Sequence, residues 1–122
     1  MKRKYEETFK YQHLVGQMLT LFFSGVYITS YDMIHIAHEL GHELPSKNRE
    51  LILKNLFLEC EKAHQMPQLV QKLIVLLQTR IEAYSKLTQL YPTIHAVSVS
   101  WIQKAHTIIK LLQQQLRVNP YE

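Results

Sequence analysis

The sequence contains few of the residues from which tight turns are built. Its 122 residues include only three glycines and four prolines. An all-β fold of this size needs many turns, and glycine and proline are the residues that most favour them. Their scarcity therefore predicts an all-α fold, a small bundle of about five helices.

Cysteine is almost absent as well. Cys60 is the only one, so no disulfide can form within the chain. A chain without disulfides fits a reducing compartment, and we expect a cytoplasmic protein.

A long uninterrupted hydrophobic segment is also missing. The most apolar stretch, residues 14–28, contains Gln17 and is shorter than the ~20 apolar residues that a membrane-spanning helix needs. We therefore interpret it as part of a buried helix and expect no membrane partner.

The composition is that of an ordinary globular domain. Hydrophobic residues make up 47% of the chain and charged residues 20%, so extensive disorder is not expected. The formal net charge of +4 is well below the concentrated charge of a dedicated DNA-binding domain. The length fits one domain covering residues 1–122.

Apolar residues recur at helical spacing in five separate segments. Residues three and four positions apart lie on one face of a helix, so this spacing predicts amphipathic helices that bury that face. The predicted helices are, approximately, residues 5–23, 30–41, 46–64, 67–90 and 93–117.

Several helix ends carry local signals. Thr29 and Asp32 have the spacing of a capping box, in which each side chain caps the other's backbone N–H. Gly41 is suited to end a helix in the left-handed conformation. Ser46 is a predicted N-cap and Pro67 a predicted first helical residue.

The last two segments form the longest predicted unit. Pro92 cannot continue a helix, and only Tyr91 and Pro92 separate the predicted helices 67–90 and 93–117. Because so short a joint reverses the chain, the sequence predicts a long antiparallel helical hairpin.

One pentapeptide suggests metal chemistry. His38-Glu39-Leu40-Gly41-His42 matches H-E-x-x-H, in which two histidines on one helical face bind zinc and the glutamate acts as general base. Over these five residues the sequence resembles the zincin metallopeptidases, and His-Glu-Leu-Gly-His looks like the matrix-type metzincins. The resemblance implies that His38 and His42 are zinc ligands and that Glu39 is the base.

The resemblance ends after the pentapeptide. The metzincin pattern continues with a glycine and a third histidine, where this chain has Pro45 and Asn48. A zinc-dependent hydrolase therefore stays an alternative, and we expect neither an enzyme nor a cofactor. A second possibility is non-catalytic metal binding by a stripe formed of His35, His38 and His42.

Residues 32–57 also allow a nucleic-acid hypothesis. In outline, helix, glycine-containing turn and helix look like the small SAP and Rho N-terminal modules that bind nucleic acid. Lys47, Arg49 and Lys54 would then contact phosphates. An ordinary helical corner with solvated basic side chains is the preferred interpretation.

The leading hypothesis is a non-enzymatic protein-interaction module. Both helices of the hairpin carry apolar residues outside their main stripe, which must be buried either by the rest of the domain or by a partner. The predicted partner is another protein or a second copy of the chain, bound through residues 67–117. The predicted surface consists of Leu69, Ile74, Leu76, Val99, Ile102, Ile109 and Leu111.

Overall fold

A computed structural model describes residues 11–23, 28–45 and 48–118. These residues form five α-helices and no strand, which confirms the predicted all-α fold. Residues 5–10 of the first predicted helix lie outside the described part. The helices are α1 (Gln12–Leu19, continued by a 3-10 turn at Thr20–Phe23), α2 (Ser30–Glu39), α3 (Arg49–Lys62), α4 (Met66–Leu90) and α5 (His95–Val118, preceded by a 3-10 turn at Pro92–Ile94).

The N-terminal cap of α2 agrees with the sequence prediction, and that of α3 differs from it. At α2 the predicted capping box is present, because the Asp32 N–H donates to the Thr29 hydroxyl at 3.0 Å and the Thr29 N–H donates to the Asp32 carboxylate at 2.9 Å. At α3 the cap is Asn48, whose side-chain oxygen accepts from the Leu51 N–H at 2.9 Å. The predicted cap, Ser46, lies outside the described residues.

The predicted hairpin is formed by α4 and α5. Pro92 ends α4 at Leu90, and the chain reverses within the short turn that follows. Tyr84 and Trp101 meet edge to face across the two helices, with ring centroids 5.7 Å apart. Because one ring precedes the turn and the other follows it at a similar distance, the two helices run antiparallel.

The remaining helices pack against the lower part of this hairpin. α1 contacts α3 and α5, α2 contacts α3, and α3 contacts α4. The Tyr11 and Phe57 rings lie 5.3 Å apart in the buried core between α1 and α3. On α4 the last buried residue is Ile81, and on α5 the first is Ser98. The core therefore fills one end of the hairpin and stops short of the other.

None of the helices in the described part combines enough length with enough apolar character to cross a bilayer.

Candidate interaction site

The H-E-x-x-H segment lies at the C-terminal end of a helix and extends beyond it. α2 finishes at Glu39, and Gly41 takes a positive φ of 90°. The Gly41 N–H donates to the His38 carbonyl at 3.0 Å and the His42 N–H donates to the Ala37 carbonyl at 2.8 Å, which is a Schellman motif. His42 therefore lies beyond the helix, and the shared helical face that the zinc hypothesis requires of His38 and His42 is not formed.

The three histidines of the predicted stripe also have separate partners. No group of three His, Cys, Asp or Glu side chains in the described ranges is placed to hold a metal ion. His35, His38 and His42 line one shallow pocket of about 220 Å³, but Glu39, the predicted base, is not among the residues that line it. The observed neighbours are Glu39 for His35 (Nε2 to Oε2, 3.4 Å), Glu43 for His38 (Nδ1 to Oε2, 3.6 Å) and Gln65 for His42 (Nε2 to Oε1, 2.6 Å).

His42 has a structural role that the sequence pattern did not indicate. The Gln65 amide contacts the His42 ring and also donates to the Leu40 carbonyl at 2.9 Å. Gln65 itself closes a second Schellman motif, in which its N–H donates to the Cys60 carbonyl at 2.8 Å and His64 takes a φ of 58°. One side chain thus joins the C-terminal ends of α2 and α3.

Replacing His38 with alanine is expected to leave zinc content and stability unchanged. The His38 side chain is 75% exposed, and exposed substitutions usually alter the free energy of unfolding by no more than about 0.5 kcal/mol. Elemental analysis of dialysed protein and thermal unfolding with and without added zinc provide the measurement. One zinc per chain that is lost in His38→Ala would contradict this expectation and restore the hydrolase hypothesis.

Glu39, the predicted base, is engaged by a lysine of the hairpin. The Lys72 Nζ atom lies 3.1 Å from Glu39 Oε1, and His35 approaches the other carboxylate oxygen. The hydrogen bond and the charge of Lys72 hold the pKa of Glu39 below its ordinary value of 4.5. A general base that works near neutral pH usually has a raised carboxyl pKa, so this environment does not favour catalysis by Glu39.

The same ion pair gives an expected pH dependence. Because the folded pKa of Glu39 is lowered, its contribution to stability is present above pH 4.5 and is lost as the pH falls through the folded value. Lys72→Met should therefore be less stable than the wild type at neutral pH and should approach it in acid. Urea midpoints across this range provide the measurement. Lys110→Met is the control, and a difference between wild type and Lys72→Met that grows in acid would contradict the assignment.

The predicted interaction residues separate into two groups. Three of them are buried inside the single chain and so belong to the core: Leu69, Ile74 and Ile109. This corrects their assignment to an interaction surface, because the rest of the chain already covers them. Four are only partly buried: Leu76, Val99, Ile102 and Leu111.

Leu76 lies in a groove between α2 and α4. The groove has a volume of about 480 Å³ and an apolar floor that includes Ile36. Two ion pairs span it, Glu39 with Lys72 at one end and Asp32 with Arg80 at the other. These pairs join α2 to the hairpin, and beyond them α4 continues without α2 beside it.

The far end of the hairpin is the part that the core leaves uncovered. We call residues 82–97 the distal hairpin. None of its residues is buried, and at about 1.5 Å per residue Leu90 lies roughly 14 Å beyond Ile81 along α4. Four of its large apolar side chains are between 39% and 73% exposed: Leu87, Leu90, Tyr91 and Val97.

A second groove runs along this end. Its volume is about 560 Å³, and Val99 and Ile102 of α5 line it together with Pro92. Polar side chains of both helices complete the lining: Ser85, Thr88, Gln89 and His95. We call it the distal groove. Two of the predicted interaction residues, Val99 and Ile102, are therefore brought together in a concave surface.

The two described basic residues of the nucleic-acid hypothesis, Arg49 and Lys54, do not share one face of their helix. Arg49 and Lys54 are both on α3, but five positions along a helix place them on different sides of it. Lys47 lies outside the described residues.

The distribution of charge along the chain is a signal that the sequence analysis missed. Residues 83–118 contain no aspartate or glutamate and four lysines or arginines, whereas the rest of the chain contains ten of each sign. The whole formal charge of +4 therefore resides in this stretch. Lys86, Lys104 and Lys110 form no ion pair with a described carboxylate.

Cys60 offers no nucleophile. It is buried in the core at the end of α3, and this burial raises the pKa of its thiol to about 11. The reactive thiolate form is therefore scarce at neutral pH.

Comparison of the chain with protein-family models, with curated proteins and with solved structures finds no match in any of the three.

Proposed function

We propose that this protein is a non-enzymatic interaction module that docks another protein through the distal hairpin. The observation that carries the proposal is the exposure of several large apolar side chains at an end of the hairpin that the core does not reach. Isolated exposed apolar residues are common, but a contiguous group of them marks an interaction surface.

The energetics of the exposed residues favour the same function. Fully burying one leucine side chain contributes about 1.5–3 kcal/mol of stabilisation. Leu90 is 73% exposed in the folded chain, so most of this free energy is available for binding a partner. A helix pair held together by Tyr84 and Trp101 also presents these side chains on a preformed scaffold, which lowers the entropic cost of binding.

The zinc-hydrolase alternative has less support. It depends on His38, Glu39 and His42 acting together, and these residues have separate partners at the end of α2. The nucleic-acid alternative depends on Arg49 and Lys54, which lie on different sides of α3.

Site-specific photocross-linking in cells that make the protein tests the proposal. A photoreactive residue at Leu90 is expected to give a discrete covalent product with another protein chain. The matched control is Leu51, an apolar residue of α3 that is 41% exposed and lies outside the hairpin. Mass spectrometry of the product distinguishes a different protein from a second copy.

A second substitution makes the cross-linking test specific. Val97→Asp, made in the Leu90 probe, should abolish the product because it places a charge within the apolar surface while leaving the core intact. Equal cross-linking from Leu90 and Leu51, or a product unaffected by Val97→Asp, would contradict docking through the distal hairpin.

A further inference from the structure

We propose that the distal hairpin opens and closes as a separate unit while the core stays folded, and that Ser98 sets the balance between the open and closed forms. Such a motion is a property of the folded chain alone and so goes beyond the proposed function. Two features of the hairpin point to it, the small amount of apolar surface buried at its distal end and a buried hydroxyl group without a partner.

Little apolar burial holds the distal hairpin closed. Ile81 is the last buried residue of α4 and Ser98 the first of α5, so every side chain from residue 82 to residue 97 is at least partly exposed. Tyr84 and Trp101, whose rings meet across the two helices, are themselves only partly buried. Because burial of apolar surface is the main source of stability, opening this end costs less free energy than unfolding the core.

Ser98 occupies a position of α5 at which the core has apolar residues. Ser98, Ala105 and Leu112 are seven positions apart, so they lie on one face of the helix, and all three are completely buried. The buried face of α5 therefore ends in a hydroxyl group where the distal hairpin begins.

The hydroxyl of Ser98 is buried without compensation. Its Oγ atom has no hydrogen-bond partner among the described residues. By contrast, the Thr88 hydroxyl on the facing helix donates to the Tyr84 carbonyl at 2.8 Å. A buried hydroxyl that has given up water without gaining a partner destabilises the form that buries it. Opening of the hairpin returns this group to water, so Ser98 favours the open form.

The two forms differ in what they present to a partner. In the closed form α4 and α5 hold Leu90 and Val97 in fixed relative positions, whereas in the open form these side chains move apart. A partner that recognises the closed form therefore shifts the equilibrium toward it. Ser98 thus regulates how much of the docking surface is assembled before a partner arrives.

Amide hydrogen exchange of the full chain, followed by nuclear magnetic resonance in low concentrations of urea, tests the proposal. The distal reporters are the amides of Leu87 and Trp101, and the core reporters are those of Leu77 and Ile108. Helical segments as short as those of the distal hairpin do not stay helical without packing, so opening frees their amides.

The wild type should show two classes of amide. We expect the distal reporters to exchange faster than the core reporters by on the order of 100-fold, because they open without global unfolding. Their exchange should depend little on urea, since local opening exposes little surface, whereas exchange at Leu77 and Ile108 should depend on it strongly.

Ser98→Ala and Ser100→Ala form a matched pair. Both replace serine with alanine in α5, but Ser100 is exposed in the closed form. Ser98→Ala should slow exchange at the distal reporters by on the order of tenfold, because alanine has no hydroxyl to bury. Ser100→Ala should slow it by only about twofold, through helix propensity. Ser98→Cys, which fills the same space with a weakly polar thiol, should also slow it.

Three results would overturn the proposal. Equal exchange and equal urea dependence at Leu87 and Leu77 would show that the hairpin opens only together with the core. Slower exchange at Leu77 alone in Ser98→Ala would show that the local opening leaves Ser98 buried. Faster exchange at the distal reporters in both Ser98→Ala and Ser98→Cys would show that the hydroxyl stabilises the closed form. None of these results requires a partner, so the Leu90 cross-link tests the proposed function independently.

Discussion

Replacing Leu77 with alanine is expected to lower the free energy of unfolding by about 3–4 kcal/mol, whereas the same replacement at Leu90 should change it by less than about 0.5 kcal/mol. Both leucines are on α4, Leu77 near its middle and Leu90 at its last position, so the chemistry of the substitution is matched. Leu77 is completely buried and Leu90 is 73% exposed. The difference therefore measures how far the core extends along the hairpin.

The physical reason is the cavity that truncation leaves. At Leu77 alanine removes buried methyl groups from a site surrounded by other core residues, and the lost contacts are only partly recovered by relaxation. At Leu90 the removed groups were already in contact with water. Urea denaturation of the two variants beside the wild type gives both values.

This pair of variants also bears on function. A large loss of stability in Leu90→Ala would mean that the distal hairpin is packed within the folded chain and is not free to bind a partner. An unchanged Leu90→Ala with a strongly destabilised Leu77→Ala supports a division of the hairpin into a folding part and a docking part.

Asp32→Ala is expected to lower the free energy of unfolding by about 2–3 kcal/mol, the sum of a lost hydrogen bond from the Thr29 N–H of about 1 kcal/mol and a lost charged hydrogen-bond pair of about 1.5 kcal/mol. Asp32 caps the Thr29 N–H and accepts two hydrogen bonds from the Arg80 guanidinium, at 2.9 and 3.0 Å. Its side chain is only 13% exposed, so these contacts are partly shielded from water.

Asp32→Asn separates the two contributions. Asparagine keeps an oxygen that can accept from the Thr29 N–H, but it loses the negative charge that pairs with Arg80. We therefore expect Asp32→Asn to fall between the wild type and Asp32→Ala in thermal and urea unfolding. Equal stability of all three proteins would show that the link between α2 and the hairpin does not hold the fold.

The sequence predicted the secondary structure well because its signals are local. The spacing of apolar residues, the Thr29 and Asp32 pair and the turn at Pro92 all act within a few residues, and the structure contains them as predicted. The error at the start of α3 is also local. The helix is capped by Asn48, two positions after the predicted cap Ser46.

The candidate site was predicted less well because it depends on contacts between segments that are far apart in sequence. The H-E-x-x-H match ignored that Gly41 ends α2 before His42. The apolar positions of the hairpin could not be divided by spacing alone, because Leu69 and Val99 look alike in sequence. Only the packing of α1 and α3 against one end of the hairpin separates buried positions from exposed ones.

The amino-acid sequence by itself determined that the chain is helical, where most helices begin and end, and that all its formal charge of +4 is concentrated in residues 83–118. Only the tertiary structure decided that Ile74 and Ile109 are core, that Val99 and Ile102 share a groove, and that no residue of the distal hairpin is buried. The reason is that a helix is made by contacts within one turn, whereas burial depends on which segments, distant in sequence, pack against the helix.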